Sequence, residues 1–442
     1  MPRTSKTLQK EQIDAIQLSL DQLSPDNGWK QYRCELVTPM FGGGVKAGVV
    51  DEQMPVRASA IRGQLRFWWR IACGPFSSDK EMFQREREIW GGIGDKEAVA
   101  SKVEIRVVAK AIEDNQLQRS SRVAQNAIKY AFGPATINGE ANWLAAGYDF
   151  TICMRYDASV AKDVETALRW FACFGGIGAR TRRGFGALQV SALIAVSQEE
   201  VHDVGGRLAF QVSALIAVSQ EEVHDVGGRL AFQVSALIAV SQEEVHDVGG
   251  RLAFQATEKG ASYSAWDSAL EALHKFRQGA GTGRRAGGQR PGRSFWPEPD
   301  QLRRFTNKNL MGRHMPEHPA GNVFPRAAFG LPITFNFRNP EEPRKMELLP
   351  QGGAERMASP LILRPYWDGS KWWSCALLLP GWEKALSQKL TFKNAGFEPK
   401  SWPADLTARQ KLTTTIRPMN KNGEPRALDP LSAFMHYFAE AN

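Results

Sequence analysis

The sequence predicts an α+β protein built from two units of the order β-α-β-β-α-β, with a repeated segment between them. Three observations carry that expectation. Short runs rich in β-branched and aromatic residues alternate with longer runs whose apolar residues recur at helical spacing. Before residue 190 these runs fall once in that order, and the later chain offers a second, more decorated set. The 442 residues suffice for two or three domains with cores of their own.

The elements follow in sequence. Tyr32 to Thr38 reads as a strand, and Ser59 to Ala72 as a helix capped by Ser59. Lys102 to Ile112 and Tyr148 to Tyr156 read as strands. Ala161 to Cys173 reads as a helix and Ala187 to Val196 as the closing strand. This is the order of a ferredoxin-like (RRM-like) unit. Farther along, Tyr263 to Phe276 and Pro403 to Leu412 read as helices. Pro332 to Phe337, Pro360 to Tyr366 and Trp372 to Leu379 read as strands. The expected division is 30–196 for the first unit, 189–254 for the repeat (mostly insertion), 278–293 for a basic linker and 255–442 for the second unit.

The repeat is exact. QVSALIAVSQEEVHDVGGRLAF runs from Gln189 to Phe210 and recurs unchanged at Gln211 to Phe232 and Gln233 to Phe254. Solenoid repeats drift because each keeps only its core positions, so identity points to a tandem duplication instead. Within the unit, Ser197 and Glu200 form a capping-box pattern. Gly205-Gly206 breaks the turn, and Arg207 to Val218 reads as a strand. Gln278 to Arg293 is rich in Gly and Arg with no acid, as in a linker.

Formal net charge is +9, which favours polyanionic partners such as nucleic acid. The five cysteines are far apart, odd in number and without a C-x-x-C, which argues against a disulfide framework or a structural zinc. Met1 to Gln12 is polar, so no signal peptide is expected. No apolar run approaches the roughly 20 residues of a membrane span. A cytoplasmic protein without membrane partner or cofactor is the expectation.

Three constellations carry chemistry. In Arg57 to Arg70, Ile61, Leu65, Trp68 and Ala72 share a helical face, and Arg62, Arg66 and Arg70 form a stripe beside it. With no acid close in sequence, that stripe suits phosphate, since guanidinium donates in a planar fork. The alternative is a solvated face with acidic partners elsewhere in the fold. Gly175-Gly176-Ile177-Gly178 to Gly184-Phe185-Gly186 is a glycine-rich loop carrying Arg180, Arg182 and Arg183. It matches neither a Walker loop nor G-x-G-x-x-G. Its glycines allow close backbone approach to phosphate, and Phe185 is placed to stack on a base. The Thr38 to Gly44 turn, with Lys46, could bring backbone N–H groups to the same surface.

These residues resemble a known family. Gly176-Ile177-Gly178 with Gly184-Phe185-Gly186 is similar to the glycine-rich loop of RAMP proteins of CRISPR systems. TPMFGGG with VRASAIRGQLRFWWR resembles the first subunit of the type III-B Cmr complex. Phe329 to Pro332 and Arg356 to Arg364 do the same in the second half. The resemblance implies two ferredoxin-like RAMP units in a non-catalytic subunit. It would contact guide or target RNA near the guide 3′ end, beside other Cmr subunits. Expected RNA-binding residues are Lys46, Arg57, Ser59, Arg62, Arg66, Arg70 and Gly175 to Gly186 as named, with secondary contacts from Arg284, Arg285, Arg290 and Arg293. The repeat, directly after the glycine-rich loop, departs from the family pattern.

Candidate catalysts are few. Some RAMP proteins process guide precursors with a histidine, but the first histidine here is His202, inside the repeat, with copies at His224 and His246. His314 and His318 flank Pro316 with no cysteine pair near, an ordinary loop arrangement. Glu86 and Glu88 sit among Arg85 and Arg87, as on a solvated helix. A guide-processing endoribonuclease and a purely structural cap remain as alternatives.

Overall fold

A computed structural model describes residues 28–94, 97–113, 115–119, 126–132, 142–191, 193–194, 237–278, 294–311, 315–337, 339–393 and 395–441. Helices and strands are mixed throughout. The first half contains β1 (Lys30–Leu36), α1 (Ala58–Ala72), α2 (Asp79–Trp90), β2 (Val103–Ala109), α3 (Asn126–Phe132), β3 (Asp149–Tyr156), α4 (Ala161–Phe174) and β4 (Leu188–Val190). Its sheet runs β2-β3-β1-β4, and every neighbouring pair is antiparallel. Alternation sets the register. Tyr32, Cys34 and Leu36 of β1 are buried, while Gln31, Arg33 and Glu35 face outward. α1 and α4 pack on the inner face through Ile61, Leu65, Trp68 and Trp69 against Val164, Leu168 and Phe171.

Two helices start away from their expected caps: the one expected from Pro403 begins at Leu406 behind Asp405, and α1 differs at its cap. α1 begins at Ala58 with Arg57 at the N-cap and no side-chain cap, and Ser59 is exposed. α2 carries the textually plainer signal, with Ser78 accepting from the Glu81 amide and Asp79 and Glu81 in its first turn.

The second half holds β5 (Leu193–Ile194), β6 (Leu237–Ile238), α5 (Gln242–Asp247), β7 (Arg251–Phe254), α6 (Ser262–Gln278) and α7 (Glu298–Thr306). It continues with β8 (Ile333–Phe335), β9 (Met346–Pro350), β10 (Leu361–Trp367), β11 (Trp372–Leu378), β12 (Leu390–Phe392), α8 (Leu406–Thr415) and α9 (Pro430–Glu440). One sheet runs β7-β11-β10, with α6 across it, and a smaller one runs β8-β9-β12. Trp266, Leu270, Leu273 and Phe276 of α6 are buried against Leu361, Leu363, Ala376 and Leu378. α7 is tied down by a buried network. Arg303 donates to Glu342 at 2.8 Å and to Asp300 at 2.7 Å, and Asp300 accepts the His318 amide at 2.9 Å.

The repeat is used economically. Ser197, Glu200, Gly205, Gly206, His202, His224 and the Arg207 to Val218 strand lie outside the described residues. Their equivalents in the third copy are described. Ser241 and Glu244 form a capping box on α5, and Gly250 leads directly into β7. β7 pairs with β11, so the end of the third copy is an edge of the second sheet rather than an insertion. β5 and β6 pair in parallel, Leu193 with Leu237 and Ile194 with Ile238.

Candidate nucleic-acid interface

The glycine-rich loop follows α4 directly and is held between both halves. Ile177 N–H donates to Gly186 at 2.9 Å, Ala179 N–H to Phe41 at 2.7 Å, and Gly186 N–H to Pro39 at 2.8 Å. Thr38, fully buried, donates its hydroxyl to the Gly184 carbonyl and accepts the Ala187 amide at 2.9 Å. Several of its glycines are needed by geometry, Gly178 and Gly184 among them. Gly178 has φ +83°, and a Cβ there would lie 2.7 Å from the Phe41 carbonyl oxygen. Gly184 has φ +77°, and a Cβ would meet the Leu363 carbonyl and the Trp266 ring at 2.6 Å. The Thr38 to Gly44 turn thus packs on the loop, as the sequence suggests.

The loop arginines point inward to carbonyls. Arg180, in a left-handed conformation, donates to Ala131 at 2.9 Å. Arg182 donates to the Ser359 carbonyl, and its guanidinium lies 5.8 Å from the Phe67 ring centre. Arg183 donates to Phe329 at 3.4 Å, and its other terminal nitrogen is buried with no partner among the described residues. Burial first, then Arg277 and its neighbouring arginines, push Arg183 down to about 10. From the second half, Arg364, 3% exposed, donates to Gly175 at 2.7 Å and to Leu188 at 2.9 Å. Phe329, Ser359 and Arg364 belong to the two second-half motifs singled out in the sequence, so those motifs clamp the loop.

Four expectations are corrected here. The arginine stripe does have an acid. Glu86 of α2, 2% exposed, accepts from Arg66 at 2.5 Å and from Arg70 at 2.6 and 2.8 Å. Burial works to raise the Glu86 carboxyl, but hydrogen bonds from Arg70 and Arg66 outweigh it and hold it below the usual range. Glu86 is therefore not on a solvated face. Arg62 spends its donors on Ser101 at 2.7 Å and the Val103 carbonyl at 2.9 Å. Phe185 is fully buried, in edge contact with Phe132 and Trp266, and cannot stack on a base. Ile177 is likewise core.

Stripe and loop also occupy different faces of α1. At about 100° per residue, Gln64 and Trp68 each stand roughly 200° from Arg66. The face that meets the loop is Gln64, Phe67 and Trp68, while the stripe meets α2. Between that face and the loop lies a cavity of about 210 Å³. Phe174, Gly175 and Gly176 form one wall, Thr181 and Arg182 a second, and Ile362 of β10 contributes from the other half. The sequence places Trp68 in the core, and it is 1% exposed, with no acceptor for its indole N–H among the described residues.

Of the other candidates, Lys46 is exposed, and Arg57 donates to the Gly43 carbonyl. Arg284, Arg285, Arg290, Arg293 and His314 lie outside the described residues. His318 is buried, one ring nitrogen 2.9 Å from the Phe295 carbonyl and the other accepting from Ala320. Among the described residues no three His, Cys, Asp or Glu side chains are grouped to hold a metal, and no helix is long and apolar enough to cross a membrane. The five cysteines are free, and burial pushes Cys173 up to about 11, away from thiolate chemistry.

Residues 33–189, from β1 through the loop to β4, match the family model of the RAMP superfamily. Over this segment the chain resembles the RAMP superfamily. Two solved structures show looser likeness. Cmr1 from Pyrococcus furiosus in its apo form is 16% identical, with a TM-score of 0.39, over 82% of this chain and 98% of that one. A chain of a type III-B Cmr-beta complex bound to cognate target RNA and AMPPnP, in the presence of ssDNA, is 10% identical. Its TM-score is 0.37, over 92% of this chain and 97% of that one. TM-scores below 0.5 superpose the folds only loosely, so the weight rests on the RAMP match. No curated protein sequence matches. The RAMP segment ends with the loop and β4, so the cavity lies where that segment meets the second half.

Proposed function

We propose that this protein is a non-catalytic RNA-binding subunit of a type III-B CRISPR (Cmr) effector complex. In that role it contacts guide or target RNA near the guide 3′ end, in antiviral defence, beside other Cmr subunits. The observation that carries the reading is the cavity where the RAMP loop faces α1. It is lined by two glycines, Thr181, Arg182, Gln64 and the partly exposed Phe67 ring, a mixed polar and aromatic surface suited to an RNA strand. The antiparallel order β2-β3-β1-β4 supports a ferredoxin-like first unit, and the β7-β11-β10 sheet under α6 supports a second. Sequence would be read by guide–target pairing, with this subunit holding the strand.

A non-catalytic role fits the lining. None of its side chains is a His, Asp, Glu, Lys, Tyr or Cys, so none can exchange a proton near neutral pH. Incubation of the purified chain with guide and target RNA, with and without Mg²⁺, tests this. RNA retained intact on the protein is the expected result. Cleavage that a point substitution in this chain abolishes would establish the endoribonuclease instead.

A further inference from the structure

We infer that four arginines, where the glycine-rich loop faces α3 and α6, receive an acidic side chain of a neighbouring polypeptide. They are Arg180, Arg183, Arg277 and Arg356, and none of them lines the cavity against α1. The inference goes beyond the RNA-binding reading, because it names a protein-facing surface and the chemistry of what docks there.

Their contacts bring the four together. Arg180 donates to the Ala131 carbonyl at 2.9 Å, and Arg277 donates to the hydroxyl of the adjacent Tyr130 at 3.0 Å. Arg183 donates to the Phe329 carbonyl, and the Arg277 guanidinium lies 5.6 Å from the Phe329 ring centre. Arg356 is exposed, and the other three are part-exposed. Burial first, then the Arg356 charge, hold Arg180 below the usual arginine range. Among the described residues none of the four pairs with an acid. Elsewhere the chain neutralises its guanidiniums. Glu86 serves Arg66 and Arg70, and Glu342 with Asp300 serves Arg303. Here like charges share neutral acceptors only, an arrangement that an incoming anion stabilises.

The surroundings favour a side chain over a nucleic-acid strand. Single-stranded RNA sites combine charge with aromatic stacking. Tyr130 already lies against His274, ring centres 4.6 Å apart, and Phe329 is 1% exposed, which leaves little ring surface for a base. One terminal nitrogen of Arg183 and Nε of Arg277 are sealed, so an anion meets the outer edges of these groups instead. Arg180, Arg183 and Arg277 are also drawn inward by Ala131, Phe329 and Tyr130 and do not project. A carboxylate carried on its own side chain reaches such part-buried guanidiniums and matches their planar fork. A phosphodiester would have to bring its whole backbone with it.

The test is an anisotropy titration of the full chain with two labelled peptides, one of alternating glutamate and glycine, the other of alternating glutamine and glycine. The glutamate peptide should bind about tenfold more tightly, the order of one charge-assisted hydrogen bond. Arg277→Gln, and Arg356→Ala at its exposed position, should each reduce that ratio by roughly threefold or more. Lys411→Ala removes an exposed charge from α8 and should leave the ratio unchanged, which separates the site from net charge. Circular dichroism and the unfolding midpoint confirm that each variant is folded. Equal binding of the two peptides would overturn the inference. So would a ratio that neither arginine substitution changes, or that Lys411→Ala reduces equally. An oligouridylate that loses affinity in the arginine variants, while the glutamate peptide does not, would make RNA the occupant and overturn it too. A folded parent chain that binds no oligouridylate would overturn the RNA-binding reading and leave this surface standing.

Discussion

Glu86 shows how a single side chain changes the meaning of a motif. Arg62, Arg66 and Arg70 are spaced as a phosphate-binding stripe, and no acid lies near them in sequence. The acid comes from α2, 16 and 20 residues away, and takes up both Arg66 and Arg70. Such a partner is invisible to helical periodicity, because it depends on how two helices pack. Glu86→Gln should destabilise the fold by about 2 kcal/mol, since two part-exposed guanidiniums lose a buried charged acceptor. The pH dependence follows from the depressed carboxyl. Its contribution is present above the unfolded carboxylate range and is lost as pH falls through the lower folded value. Denaturant unfolding of parent and variant should therefore differ at pH 7 and converge toward pH 3. A difference that stays constant over this range would show that Glu86 is not ionised in the fold.

At the scale of elements, much of the first half was legible in its sequence. β1, α1, β3 and α4 fall within two residues of their expected ends, because alternation and helical spacing fix them locally. The Thr38 to Gly44 turn and the glycine loop were singled out together, and they do pack together. What could not be read was direction. Phe185 and Ile177 lie in a loop of glycines and arginines, yet tertiary packing buries them. Trp68 has the spacing of a core residue and is one. The second-half motifs stood out as motifs, and only the fold shows them as a clamp on the loop. Gly184→Ala should therefore loosen the joint between halves. Left-handed backbone at a non-glycine costs roughly 1 to 3 kcal/mol, and contact with Leu363 and Trp266 adds to it. The midpoint of thermal unfolding should drop, with limited proteolysis opening the loop first. An unchanged midpoint would mean that the loop relaxes freely. Arg364→Ala should act in the same direction, because the Gly175 and Leu188 carbonyls lose their buried donor.

On the scale of the whole molecule, the repeat lies between the two halves of the sequence. The chain enters the repeat at β4 and leaves it through β7. The dipeptide Leu193-Ile194 pairs with its own copy at Leu237-Ile238, and 237 − 193 gives an offset of 44 residues. Residues up to Ile194 and from Ala239 together make one complete unit. Removing any 44 consecutive residues from 189–254 produces the same sequence, so one variant tests them all. It should fold with a midpoint no lower than the parent's and bind RNA equally. It should also aggregate less, since surplus copies of an apolar strand can pair in alternative registers. Loss of folding on deletion would show that the extra copies are structural.

RNA contact is the central claim, and photo-crosslinking maps it directly. Single-stranded RNA carrying 4-thiouridine would be irradiated on the full chain and the attached peptides identified. The expected result is attachment concentrated in 57–70 and 174–186, with Phe67, the partly exposed ring there, as the main site. It should weaken as salt rises, with log affinity falling at a slope near −2 for about three phosphate contacts at roughly −0.7 each. Attachment confined to other segments, or none with the protein folded, would contradict the claim.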